Sequence, residues 1–486
     1  MLAALVGLQA ASGLLLRGAW ELWAQSAVLL ALISGLALWL AAGAARGRLP
    51  LPSKAPSSWA MTLAALSFLS ARLGPVPAYA LPAWAAAAAG LWLIPAATLL
   101  STREREVVEQ AVRAAAWTLV LLAAYQRFHG SPRPPSALLN QNAFAGAILL
   151  LLPFAARRGD GLLVAGLLVC LWWTRSVAAW LGLAGALILH RKAVGSVAFW
   201  AGALAGFAGL VAAYAKLQSP EALHRWAWWA AAWRMSADAP WLGFGPGAFA
   251  YALPAYVGPR PELISLFAHQ YFLETAAERG WPYLLLWLAG ICALLRRAPA
   301  GKRFGPVAAL IHGLFDYGLS LPGIFWLFCL SIAWALPESE EAVAVRGGRK
   351  IPAVALTLCA ATAAAYWVGG NWAADSLRAR VFASNPPLPP DEALVALSSS
   401  ERIRPHPEAA RARAQLELAS AGGPDGAKRL QAAADDLERA VSLDPFRASN
   451  WTMLEDVYRR LGRPQDAARA RSRGAKRCPS LRTEAA

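Results

Sequence analysis

Apolar stretches that approach the roughly 20 residues needed to cross a bilayer core recur along most of the chain. They predict about thirteen helices, at 2–16, 23–45, 58–72, 77–100, 107–127, 138–156, 161–174, 177–190, 194–214, 281–296, 304–318, 321–336 and 352–370. Between 215 and 280 the pattern breaks, and it resumes only at Trp281. After Asn371 the chain turns polar and rich in Ala, Arg and Glu, with Pro-rich stretches such as NPPLPPD and RPHP. The pattern divides the chain into a membrane domain over 1–370 with one large external loop at about 215–280, a linker over 371–405, and a helical module over 406–486.

Within that module, Trp451, Leu454, Tyr458, Gly462, Ala467 and Pro479 stand roughly where a tetratricopeptide repeat places its packing residues, and a degenerate repeat precedes them between Pro407 and Pro445. Such a module is either a surface for a protein partner or a helical cap on the membrane domain.

Composition supports the membrane assignment: 57% of the 486 residues are hydrophobic and 15% charged, and the mean hydropathy is +0.40. The fold class is therefore all-α, a polytopic membrane protein of about 12–13 transmembrane helices. The net charge of +17 would point to nucleic acid in a soluble protein. Here the cations sit in short loops and in the polar tail, where membrane orientation and lipid headgroups account for them.

With the N-terminus inside, six basic loops fall on the cytoplasmic face: Arg46 to Lys54, Arg103 and Arg105, Arg157 and Arg158, Arg191 and Lys192, Arg296 to Arg303, and Arg346 to Lys350. The loops around Pro132, Arg175, Lys216 to Gly280 and Asp316 then lie outside with the C-terminal module. The expected location is a multi-pass protein of a bacterial inner membrane with its central loop and C-terminal repeats in the periplasm. Met1 to Leu16 lacks a basic n-region and is expected to stay in place as a helix. The five cysteines show no metal or disulfide spacing.

Two blocks of the external loop carry candidate chemistry: His224 to Phe249 and His269 to Tyr283. In the first, Arg225 and Trp229 share a helical face, Asp238 to Pro240 end the helix, and Gly243, Gly245 and Gly247 form a turn whose backbone can approach another group closely. A plainer reading is an amphipathic helix on the membrane surface, with Trp226, Trp228, Trp229 and Trp233 among the headgroups. In the second, His269 precedes a helix and supplies an imidazole, a group that titrates near neutrality.

These residues resemble the O-antigen ligase and O-antigen polymerase family of bacterial membrane glycosyltransferases. The resemblance rests on Arg225, Trp229, Pro240, Gly243 and Gly245, and on His269, Gln270 and Gly280. It extends to the Asn-x-Asn segment at Asn140 and Asn142, to Thr174–Leu183, and to the His312/Asp316 helix. One departure stands out: where the family commonly has Arg after Ser176, this chain has Val177, and Arg175 is the nearest substitute.

The resemblance implies a GT-C-like fold and transfer of a glycan from an undecaprenyl diphosphate carrier to a lipid, glycan or protein acceptor at the outer face of the inner membrane. Ligation onto lipopolysaccharide core, polymerisation of repeat units and transfer to protein hydroxyls remain alternatives.

Arg225 and Arg175 are then the candidate diphosphate ligands, since guanidinium groups stabilise a leaving diphosphate with paired hydrogen bonds. His269 is the candidate base. His312 with Asp316, Asn140, Asn142 and Gln270 are supporting candidates. For these the alternative is structural: a buried polar pair for His312 and Asp316, and helix caps for the asparagines. No Asp-x-Asp stands in the outward loops, so no metal site is evident, and a metal-independent, cofactor-free reaction with inversion at the anomeric carbon is expected, as the resemblance implies.

Two other classes compete. A transporter or flippase would need charged residues within mid-membrane spans. A non-catalytic scaffold would leave Arg225 and His269 without a role.

Overall fold

The computed structural model describes residues 1–157, 159–190, 200, 202–204, 207–211, 214, 220–258, 260–339, 341–345, 347–478 and 481. Arg158, Arg191, Lys192, Lys216, Arg346, Pro479 and most of the apolar stretch 194–214 lie outside the described residues.

The chain is helical almost throughout. The membrane domain contains α1 (Leu2–Leu15), α2 (Leu22–Ala45), α3 (Lys54–Leu73), α4 (Pro77–Leu91), α5 (Leu93–Thr98), α6 (Thr102–Phe128), α7 (Gln141–Arg157), α8 (Gly161–Thr174) and α9 (Val177–Leu189). The external segment holds α10 (Pro220–Asp238) and α11 (Phe249–Val257). Next come α12 (Tyr271–Arg297), α13 (Ala300–Gly313), α14 (Pro322–Ala333) and α15 (Gly347–Ala383). Twelve of the thirteen apolar stretches thus fall on helices among the described residues, as a multi-pass, all-α membrane protein requires.

Helix α14 is buried on all sides, from Gly323 to Ala333, and packs against α1, α4, α5 and α7. Around it the outward faces are apolar: Leu38, Met61, Leu121, Leu162, Leu285, Ile351 and Leu356 are all exposed. A protein that buries apolar residues in its centre and also displays them around its girth is built for hydrocarbon solvent. Among the described residues, four helices are long and apolar enough to span a bilayer: Leu22–Ala45, Pro77–Thr98, Thr102–Phe128 and Gly348–Ala383.

The loops sort into two groups. Arg48–Pro50 pairs antiparallel with Ala342–Ala344, Ser339 donates to the Thr98 carbonyl, Arg105 to that of Leu336 and Lys302 to that of Trp334. Loops assigned to one membrane face by their charge therefore meet at one end of the bundle. At the opposite end, the Asn140 amide bonds the Tyr317 hydroxyl, and the Ser70 hydroxyl donates to the Glu278 carbonyl at 2.8 Å.

Two expectations need correction. The helix read as 304–318 ends at Gly313, and Leu314–Tyr317 turn into a 3-10 segment at Gly318–Ser320. Asp316 thus lies in a loop. The stretch 371–405 is not an extended linker: α15 runs on to Ala383, α16 covers Pro390–Ile403, and residues 384–389 alone connect them. The change there from apolar to polar residues changes the solvent and not the backbone, because Ala, Arg and Leu all favour helix.

Beyond it, α17 (Pro407–Ala419), α18 (Gly426–Leu443), α19 (Ala448–Arg460) and α20 (Pro464–Arg477) form successive helical hairpins. Trp451, Leu454, Tyr458 and Ala467 are buried in their core, and Gly462 makes the α19–α20 turn at φ +68°. Phe446, between α18 and α19, packs on Phe244 of the external segment with ring centroids 5.5 Å apart.

Candidate functional site

The external segment is held by two backbones in close contact. Helix α12 breaks at Gly280 (φ 81°, ψ 165°), so Tyr271–Arg279 belongs to the external part and the span begins at Trp281. Before the break, Phe244 N–H donates to the Ala277 carbonyl at 2.9 Å and Gly245 N–H to that of Glu278 at 2.7 Å; after it, Trp281 N–H donates to the Pro240 carbonyl at 2.9 Å. The approach leaves no room for side chains. A Cβ on Gly243 would lie 2.3 Å from the Glu278 carbonyl carbon, and one on Gly280 would lie 2.3 Å from the Trp241 oxygen. The glycines of the two blocks therefore face one another's backbones, which is a physical reason for both to be glycine.

Three side chains converge beside this junction. Arg225, on α10, donates one Nη to the Phe315 carbonyl at 2.7 Å and places the other 3.8 Å from Asp316 Oδ2. His269 Nδ1 lies 3.3 Å from Asp316 Oδ1, within reach of the carboxylate but not aligned as a hydrogen bond. That carboxylate oxygen also accepts the Tyr317 N–H at 2.9 Å. Asp316 is 1% exposed. Burial alone would raise its pKa, but contact with His269 and the charges of His269, His312 and Arg225 outweigh burial and hold it below the usual carboxylate range.

The imidazole of His269 is fixed by rings. It stacks on Trp228 at 5.0 Å and meets Tyr317 edge-on at 4.8 Å, while its backbone takes the left-handed φ of +55°. Such a conformation costs a non-glycine residue energy and persists where its surroundings hold it. Here the holding group is Glu274. Its Oε2 accepts the Ala268 N–H at 2.6 Å, and its Oε1 accepts the Ser320 hydroxyl. One carboxyl thereby ties the turn before His269 to the loop that carries Asp316.

One turn further along, Glu278 accepts the Phe249 N–H at 3.2 Å and pairs with Arg279 at 3.3 Å. Burial, then the neighbouring Glu278, pushes Glu274 up to about 8 against its hydrogen bonds to Ser320 and Ala268.

The other candidates separate. His312 and Asp316 are joined only through the backbone, the Asp316 N–H donating to the His312 carbonyl at 3.0 Å: the His312 Nε2 is buried without a partner, and its ring packs against Gly146 and Gly318. The i,i+4 pairing fails because the helix ends before Asp316, which swings toward His269. Asn140 caps α7 through the N–H groups of Asn142 and Ala143, at 3.0 and 2.9 Å. Gln270 likewise caps α12 through the Leu273 N–H.

Arg175 ends α8 at φ +53° with its side chain exposed, and no contact joins it to the cluster among the described residues. The tryptophans divide. Trp226 and Trp233 are exposed, whereas Trp228 turns inward on His269 and donates to the Leu263 carbonyl at 2.7 Å. Glu274 and Glu278 stand on α12 among the apolar Phe272, Leu273, Ala276 and Ala277, and no sequence motif named above includes them. Two carboxylates four apart on an otherwise apolar helix were the available signal.

The fold is that of a multi-pass helical membrane protein, and a guanidinium, an imidazole and a carboxylate gather on its extramembrane loops. The family model for O-antigen ligase matches residues 143–288. That segment is similar to O-antigen ligase domains, and the similarity points to an enzyme of the membrane glycosyltransferase type. The match takes in Arg175, Arg225, His269 and Gly280, while Asn140, His312 and Asp316 fall outside it. A search of curated proteins finds no match to the chain.

Proposed function

We propose that the protein transfers a glycan from an undecaprenyl diphosphate carrier to an acceptor hydroxyl at the outer face of a bacterial inner membrane. The observation that carries this reading is the convergence of Arg225 and His269 on the buried Asp316, at 3.8 and 3.3 Å. Cleavage of the sugar–phosphate bond builds negative charge on the diphosphate, and Arg225, about a third exposed, has guanidinium hydrogens free to meet it.

Asp316 faces His269 Nδ1, which favours a proton on that nitrogen and leaves Nε2 to accept the proton of the acceptor hydroxyl. Atoms balance simply. The hydroxyl oxygen bonds the anomeric carbon, the bond to the diphosphate breaks, its electrons leave with phosphate, and the proton passes to His269. Attack opposite the leaving group inverts the anomeric centre, and Arg225 supplies the charge that a metal would supply elsewhere.

Polymerisation of repeat units uses the same chemistry with a second carrier-linked glycan as acceptor. In this reading residues 1–370 are the transferase domain, and the hairpins after Pro407 are tetratricopeptide-like repeats facing the periplasm, available to a protein partner.

The test is a reconstituted assay with an undecaprenyl diphosphate glycan donor, with mass analysis of the acceptor. Arg225→Ala and His269→Ala are expected to abolish transfer with folding intact. Full activity in both would remove the proposed site.

A further inference from the structure

A cavity of about 700 Å³ lies beside the cluster, inside the size range of small-molecule sites. The membrane domain and external segment form one wall; the C-terminal helices form the other, through α15 and residues 404–408. A stack of three rings joins these parts. His406 meets Tyr79 edge-on at 4.9 Å, and Tyr79 lies flat on Tyr251 at 3.5 Å.

The lining is rich in guanidinium groups. Arg378 is neutralised by Asp375 at 3.0 Å and Arg279 by Glu278. Arg404 reaches only the backbone carbonyl of Ile403 and the face of Tyr366, with its Nε buried and without a partner. Arg72 is exposed and forms no ion pair among the described residues. Of the other carboxylates in the lining, Glu408 pairs with Arg447 at 3.7 Å and Glu274 is taken up by Ala268 and Ser320, so Arg72 and Arg404 are the lining cations without an ion pair among the described residues.

Rings pack against the C–H faces of sugars, and guanidinium forks bind carboxylate or phosphate. The cavity is also close to the cluster: Phe267 lines it and stacks on Tyr317 at 4.0 Å, and Tyr317 touches His269.

We propose that this chamber binds an anionic saccharide, with Arg404 of the C-terminal segment and Arg72 of the membrane domain as its anion ligands. The C-terminal helices are then part of a binding site and not only a cap. The inference draws on the glycosyl-transfer reading for the class of ligand alone.

The experiment uses the full chain in phosphatidylcholine nanodiscs, titrated calorimetrically with tetragalacturonate, neutral maltotetraose and inorganic phosphate, and repeated in discs containing phosphatidylglycerol. Tetragalacturonate is expected to bind at least about tenfold more tightly than maltotetraose, and Arg404→Gln and Arg72→Ala each to weaken it about tenfold, one decade per lost charged contact. Arg72 is exposed, so its variant keeps its fold, which thermal melting checks.

Equal binding of the neutral and acidic sugars, or indifference to both substitutions, overturns the proposal. Binding of phosphate without the sugar, or loss of sugar binding in anionic discs, assigns the cavity to a lipid headgroup and also overturns it. Arg225→Ala and His269→Ala should bind tetragalacturonate as the wild type does. A failed transfer assay and an empty chamber are thereby told apart.

Discussion

Replacing Asp316 by Asn tests the cluster with little change of shape. The amide oxygen can still accept the Tyr317 N–H now bonded at 2.9 Å, so the turn after α13 should survive. What disappears is the negative charge that Arg225 and His269 share. Without it nothing favours the proton on Nδ1 of His269 or stabilises the imidazolium that forms as Nε2 takes the acceptor's proton, and the general-base contribution is lost. General-base assistance is typically worth about 10²- to 10⁴-fold, or roughly 2.7–5.4 kcal/mol at 1.36 kcal/mol per decade.

The loss should appear in kcat, since the acceptor and the donor's lipid are held elsewhere. The assay is initial-rate transfer from an undecaprenyl diphosphate glycan, with folding followed by melting temperature. Stability gives a second readout with a definite sign. The folded-state pKa of Asp316 lies below its ordinary 3.8, so its stabilisation is present above that value and is lost as pH falls toward the depressed one. The wild type should lose stability on acidification below about pH 4, and the Asn variant should lose less. Transfer above about a tenth of the wild-type rate, with His269 intact, would refute the assignment of Asp316 as the residue that positions the base.

Three further outcomes follow from the same geometry. Glu274→Gln keeps an acceptor for the Ala268 N–H and should preserve transfer to within about threefold, whereas Glu274→Ala frees the turn before His269 and should lower it at least about tenfold. Because the Glu274 carboxyl is raised from 4.5 to about 8, its stabilisation is full below 4.5 and is lost as pH rises through 8; melting from pH 5 to 9 should show a larger fall in the wild type than in the Gln variant, where Glu278, also raised by burial, remains. Gly280→Ala sets a Cβ 2.3 Å from the Trp241 oxygen, backbone that cannot yield, and should cost at least about 1–3 kcal/mol of thermal stability along with transfer. Arg175→Ala, which removes an exposed side chain with no contact to the cluster, should leave transfer within about threefold of wild type, and a larger loss would give that guanidinium a place on the donor.

Much of the bundle was legible because lipid and protein interior demand the same residues: a helix in either setting is an unbroken apolar run, and its ends are marked by charge. The break between Tyr214 and Trp281 is visible for the same reason. The candidate cluster, as a gathering of side chains, was half legible. Arg225 and His269 stood out as polar groups flanked by tryptophan or glycine, but Asp316 was assigned to the wrong histidine. Spacing of four suggested His312, and only the end of α13 at Gly313 turns the carboxylate to His269. Glu274 was hidden by the periodicity of its apolar neighbours, and no local pattern announces that Arg404 shares a cavity with Arg72, 332 positions earlier in the chain.

The order in which these contacts depend on one another explains why the external segment cannot be a self-contained catalytic loop. Gly243 and Gly280 allow 240–245 to pair with 277–281, and that pairing sets where α10 runs and so where Arg225 points. His269 is held in place by Glu274, whose second oxygen takes its hydrogen bond from Ser320, beyond the span of α13. The carboxylate on which both functional groups converge belongs to the α13–α14 loop. In the proposed reaction the external segment would supply the cation and the base, and the loop between the late membrane helices the negative charge that orients them. A shift of α13 against α10 by as little as 1 Å would part Arg225 from Asp316, already 3.8 Å away, and misplacements of that size can cost about 10²-fold in rate. The membrane bundle therefore does more than anchor the cluster: its packing around α14 sets the distances of Arg225 and His269 from Asp316.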